Sequence, residues 1–131
     1  MAISFTNVLG NHEQALRIRS AKAALIAGNI ANADTPHYKA RDIDFKQALQ
    51  QAQSNTATLK STNLNHFGGQ ADNAASLNAK YRVPTQGSFD DNTVDMDMEK
   101  AAFGENSMHY LATLRFLTGR FQTMSRALRG E

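Results

Sequence analysis

The sequence predicts a mainly α protein, with a long helix at each end and an irregular, partly extended segment between them. Three observations carry this. Apolar residues recur at helical spacing over about 5–33. They recur in strict steps of four and three over about 95–128. Residues 54–80 between them are rich in Asn, Ser, Thr, Ala and Gly and offer little to fill a core. The chain therefore divides into an N-terminal helix (1–33), a connecting segment (34–93, with 54–80 as loop) and a C-terminal helix (94–131).

In the first helix, Phe5, Leu9, Leu16, Ala23, Ile26 and Ile30 fall on one stripe. Ser4 suits its N-cap. Gly28 costs roughly 1 kcal/mol relative to Ala inside a helix, and a close approach by a neighbouring helix is its expected return. Thr35-Pro36 ends the helix, because proline disfavours helical geometry at the residue before it. Ile43 and Phe45 alternate with Asp42 and Asp44, as in a short half-buried strand, and a weak helix follows at 46–53. Residues 81–93 suit an extended stretch leading to a turn.

The last helix opens with Asp95, Asp97 and Glu99 and carries Arg115, Arg120, Arg126 and Arg129 later on, the order a helix dipole favours. Phe103, Ser107, Tyr110, Leu114, Leu117, Phe121, Met124 and Leu128 form nearly four heptads of a coiled-coil seam.

Composition excludes several classes. The chain has 131 residues, 14 Lys+Arg against 12 Asp+Glu, a net charge of +2 and no cysteine. That removes a disulfide framework, a thiolate zinc site and a cysteine nucleophile. No stretch approaches the run of about 18 apolar residues that spans a membrane. The N-terminus lacks the basic start and apolar core of a cleavable signal peptide. A charge of +2 gives no argument for nucleic acid.

No catalytic set, cofactor loop or metal-ligand set emerges. His12, His37, His66 and His109 are isolated in sequence. Glu105 and His109, at i and i+4, could be two ligands but read as a solvated helix pair. The acidic run Asp90, Asp91, Asp95, Asp97 and Glu99 lacks the spacing and central glycine of a calcium loop, and suits turn and helix-start chemistry.

Each long helix has apolar residues off its main stripe. Ile18 and Leu25 point nearly opposite to the first stripe, and Met108, Ala112 and Phe116 form a separate row on the last helix. A two-helix hairpin has one inside face per helix, so a second face needs another partner. A third helix within the chain would serve, but the middle supplies no long amphipathic one. Ile18, Leu25, Met108 and Phe116 are therefore expected to face neighbouring subunits.

Residues 29–45, NIANADTPHYKARDIDF, resemble the N-terminal signature of flagellar rod, hook and hook-associated axial proteins. Asn29, Ala31, Asn32, Thr35, Pro36, Tyr38 and Lys39 match it, while His37 stands where the family has glycine. Arg41 to Phe45, Tyr81 to Pro84, Asn92 to Asp97, Glu105 to Ser107 and Tyr110 resemble the basal-body rod family, closest to its proximal members.

The resemblance implies a structural subunit without catalysis or cofactor, part of the axial drive shaft for motility. It implies terminal helices paired as an antiparallel coiled coil, with Leu9, Leu16, Ala23 and Ile30 facing Phe103, Tyr110, Leu114, Leu117, Phe121, Met124 and Leu128. It implies self-association in a helical array in the periplasmic rod. The implied partners are other rod proteins, the membrane ring and the export gate, with uncleaved export through the flagellar type III apparatus. Phe5 and Leu9 resemble a pattern read by that gate, and are equally two residues of the helical stripe. A soluble helical adaptor or export chaperone is the alternative reading.

Overall fold

The computed structural model describes residues 11–54, 79–84 and 87–130. Helix α1 spans His12–Ala31, strand β1 Arg41–Asp42, helix α2 Phe45–Ser54, strand β2 Lys80–Tyr81 and helix α3 Met96–Arg129. The strands form an antiparallel ladder, Arg41 opposite Tyr81 and Asp42 opposite Lys80. Ser4, Phe5, Leu9, His66 and most of the 54–80 loop lie outside the described residues. No described helix is long and apolar enough to cross a membrane.

Side chains close the start of α3 and the end of α1, where backbone groups lack helical partners. Asp95 caps α3, accepting from the N–H groups of Asp97 at 3.1 Å and Met98 at 3.2 Å. Asp97 and Glu99 sit in its first turn, Arg126 and Arg129 in its last. Gly130 ends it at φ 76°, a left-handed conformation that glycine adopts freely. At the end of α1, Asn32 donates to the Gly28 carbonyl from its backbone N–H at 3.2 Å and from Nδ2 at 2.8 Å.

A Cβ on Gly28 would meet nothing within 4 Å. Among the described residues no helix approaches closely there, and Gly28 instead offers its carbonyl to Asn32.

The core sits where α1, the β1 segment and α2 meet. Ile18, Ile43 and Ala48 are buried together, with Leu25, Phe45 and Leu49 packed against them. This corrects the expectation that Ile18 and Leu25 face a neighbouring subunit. Ile18 is 1 % exposed, because α2 lies over that side of α1. The amphipathic stretch at 46–53, short and weak by pattern, is the missing third helix. Ile43 keeps its inward place beyond the two-residue strand, whereas Phe45 begins α2.

Contacts between α1 and α3 run in opposite order. The His12 ring lies 6.3 Å from that of Phe116, and Asn106 Nδ2 donates to the Arg19 carbonyl at 3.0 Å. By helical rise, α1 is about 30 Å long and α3 about 50 Å.

Candidate functional site

The signature residues build a polar clasp between the helices. Asn29 is fully buried near the end of α1. Its Nδ2 donates to the Arg41 carbonyl at 2.9 Å, and its Oδ1 accepts the Arg41 N–H at 3.1 Å and the Tyr38 hydroxyl at 3.4 Å. A buried amide with both faces satisfied is stable where an unpaired one would be costly. Thr35 Oγ1 donates to Asn32 Oδ1 at 3.2 Å, holding the turn before Pro36.

The other half of the clasp comes from the segment before α3. Asn92 Nδ2 lies within hydrogen-bond reach of the carbonyls of Asn32 at 3.1 Å, Ala33 at 2.7 Å and Thr35 at 2.9 Å. Lys39 Nζ donates to the Asp91 carbonyl at 2.7 Å, and the Ala40 N–H donates to Thr93 Oγ1 at 2.8 Å. His37 holds φ 61°. It therefore keeps the left-handed geometry that a glycine would adopt without strain, and its N–H donates to the Asp90 carbonyl at 2.9 Å. Ala31 is exposed and takes no part.

A charged chain crosses the same region. Lys22 of α1 pairs with Asp42 at 3.1 Å, Asp42 with Arg82 at 3.4 Å, and Arg82 with fully buried Glu99 of α3 at 2.5 Å. Glu99 Oε2 makes no hydrogen bond among the described residues. Burial lowers the Arg19 guanidinium from its ordinary value, with Glu105 acting in the opposite direction. The Arg19 Cζ stacks 4.1 Å from the Phe45 ring centroid. Glu105 and His109 form an exposed pair at 3.6 Å.

The helix pair meets along a line that periodicity does not reveal. On α3, Glu99 and Asn106 are buried, and Ala102, Asn106 and His109 share a cleft with Arg19 and Lys22 of α1. With Thr113 and Phe116 these positions step three and four residues at a time. They form their own heptad, one residue before the apolar one. One residue is about 100° of helix turn. The apolar seam therefore lies beside the contact line. Phe103, Leu114, Phe121 and Leu128 are exposed, while Tyr110, Leu117 and Met124 are half-buried.

On α1, the seam residues Leu16, Ala23 and Ile30 are half-buried, each one residue after buried or partly buried Ala15, Lys22 and Asn29. Met108 is 70 % and Phe116 65 % exposed. Sequence reasoning missed the polar line because Glu99 and Asn106 are not apolar. Their only signal was the same three-four spacing in polar residues.

Comparison with known proteins places this architecture. No family model matches the chain. Curated relatives match over nearly the whole length. The flagellar basal body rod protein FlgB of Aeromonas hydrophila is 44 % identical over 133 residues, covering 100 % of this chain and 99 % of its own. FlgB of a Cereibacter sphaeroides strain is 44 % identical over 129 residues, covering 97 % and 98 %. FlgB of Escherichia coli K12 is 40 % identical over 122 residues, covering 88 % of each. With signature residues forming the clasp and both long helices spanned by these matches, the chain belongs to the FlgB family of flagellar basal body rod proteins.

Proposed function

We propose that this chain is built into the proximal part of the rod, where α1 and α3 act as an antiparallel coiled coil whose open apolar seam is covered by neighbouring subunits. The observation that carries this is the displaced heptad. Phe103, Leu114 and Phe121 stand exposed beside a polar intrachain contact, and a continuous apolar stripe on a lone helix pair calls for a partner. Met108 and Phe116, both exposed, stand on a separate row that would meet a different neighbour. Helix α2 covers Ile18 and Leu25, while Leu16, Ala23 and Ile30 point away from it.

The chain passes uncleaved through the flagellar type III apparatus, with Phe5 and Leu9 as its recognition residues. It works in the periplasmic space among other rod proteins, the membrane ring and the export gate, carrying torque. Its role is mechanical, without catalysis or cofactor.

Replacing Leu114 and Phe121 with Asp tests the surface. The variant is exported normally but missing from purified basal bodies, and cells carrying it do not swim. Motile cells with the variant in their rods would overturn the reading. Replacing Phe5 with Ala tests the export residue separately, through the amount of chain leaving the cytoplasm.

A further inference from the structure

Helix α3 is weaker in its own backbone than its length suggests. Gly104 and Gly119 lie inside it, and a Cβ on either would meet nothing within 4 Å among the described residues. Neither holds the left-handed φ of Gly130. Neither space nor backbone conformation within the described chain requires glycine there, and each glycine weakens the helix relative to alanine.

Side-chain hydroxyls add to this. Ser107 Oγ donates to the Phe103 carbonyl at 2.8 Å and Thr123 Oγ1 to the Gly119 carbonyl at 3.0 Å. Thr113 Oγ1 donates to the His109 carbonyl at 2.8 Å and Thr118 Oγ1 to the Leu114 carbonyl at 2.9 Å. Each hydroxyl competes with the N–H of its own residue for the carbonyl four residues back, which loosens the turn and lets the helix bend. By helical spacing Ser107 and Thr118 share one side of α3, while Thr113 and Thr123 lie on others. The hydroxyls therefore do not add up to a bend in one direction. They give compliance.

The two weakening features coincide twice. Gly104 falls within the turn that Ser107 closes onto Phe103. Gly119 opens the turn that Thr123 closes. The two turns begin about 24 Å apart along the helix. Between them stand Met108, Leu111, Leu114 and Phe116, all exposed.

We propose that residues 103–107 and 119–123 are two joints at which α3 bends, so that the apolar stretch between them tilts onto a neighbouring subunit independently of the helix ends. The joints stand on the hydrogen bonding of α3 itself. The use made of them rests on the assembly reading above.

Hydrogen exchange of the purified full chain reads the joints. The amides of 104–108 exchange faster than those on either side. Gly104→Ala slows them about fivefold, the factor that corresponds to the helix propensity it restores. Ser107→Ala slows the same amides. Even exchange across 99–112, or no local slowing in either variant, overturns the joints whatever the rod does.

Purified basal bodies read the use. Gly104→Ala combined with Gly119→Ala stiffens α3, and so does Ser107→Ala combined with Thr123→Ala. Both double variants are exported and both are lost from basal bodies. The second adds no atom, so its loss is not steric. If only the glycine pair is lost, a neighbour packs against those glycines and the proposed use falls. Retention of both pairs at wild-type levels in motile cells also sinks it, while leaving the rod reading intact. Absence of the wild-type chain from basal bodies would instead overturn the rod reading and this use with it.

Discussion

Asn29 and Arg41 pair through both faces of one amide, the side chain of α1 substituting for a neighbouring strand. Nδ2 donates to the Arg41 carbonyl at 2.9 Å and Oδ1 accepts its N–H at 3.1 Å. Asn29 of the signature and Arg41 just beyond it therefore anchor the connecting segment to α1.

Asn29→Ala removes both bonds and leaves buried backbone groups unpaired. A loss of about 2–3 kcal/mol of stability is expected, within the range for such groups. Thermal unfolding measures it, and hydrogen exchange locates it in faster exchange of the Arg41 amide.

The Arg82–Glu99 pair behaves differently from a surface ion pair. Glu99 is fully buried, so Arg82→Met strands a charge and costs about 3–5 kcal/mol. Replacing Glu99 with Met as well recovers much of that loss. A double-mutant cycle in urea reads the coupling; additive single effects would show the pair to be unimportant.

His37 occupies a left-handed position at φ 61°. His37→Gly removes the side-chain penalty there and gives back part of it as unfolded-state entropy. A net gain of about 0.5–1 kcal/mol is expected, visible as a higher melting temperature. His37→Ala, which retains a Cβ, gives no such gain.

Ile18 and Met108 separate core from surface. Ile18→Ala opens a cavity in the α1–α2 core and costs about 2–5 kcal/mol. Met108→Asp, at a position 70 % exposed, stays within about 0.5 kcal/mol of wild type. Chemical denaturation distinguishes them, and equal effects would mean that α2 does not cover α1 in solution.

Ser88→Ala raises the Asp90 pKa, because the hydroxyl is the foremost cause of its depression. A carboxyl depressed on folding contributes stability that is present above its unfolded value. That contribution is lost as pH falls through its folded value. The variant therefore loses its small pH dependence on the acid side of the ordinary carboxylate range. Carbon-detected NMR titration of Asp90 follows the shift directly.

The two long helices were legible because their signals are local. Asp95 was readable as the opening of α3 from the acidic first turn, and the structure makes it the N-cap. Thr35-Pro36 marked the neighbourhood of the end of α1, which comes earlier, at Ala31, closed by Asn32. The partner direction was not legible. Apolar period reports which residues prefer to leave water, not which neighbour they meet. On α3 the neighbour within the chain takes the polar line through Glu99 and Asn106. Ile18 and Leu25 were legible as apolar residues in need of a partner and were expected to face neighbouring subunits; that α2 covers them was not legible, since Phe45–Ser54 is too short for its pattern to stand out. The clasp was invisible as geometry: Asn92 lies 60 residues from Asn32, and no local spacing links them.

That separation has a mechanical consequence. A twist applied to α1 does not have to pass through the sixty residues that follow Asn32 before it reaches α3. The Asn92 amide, gripping three carbonyls just beyond the end of α1, offers a shortcut of one side chain. Stiffness across the joint is thus set at its root, where Asn92 meets the end of α1.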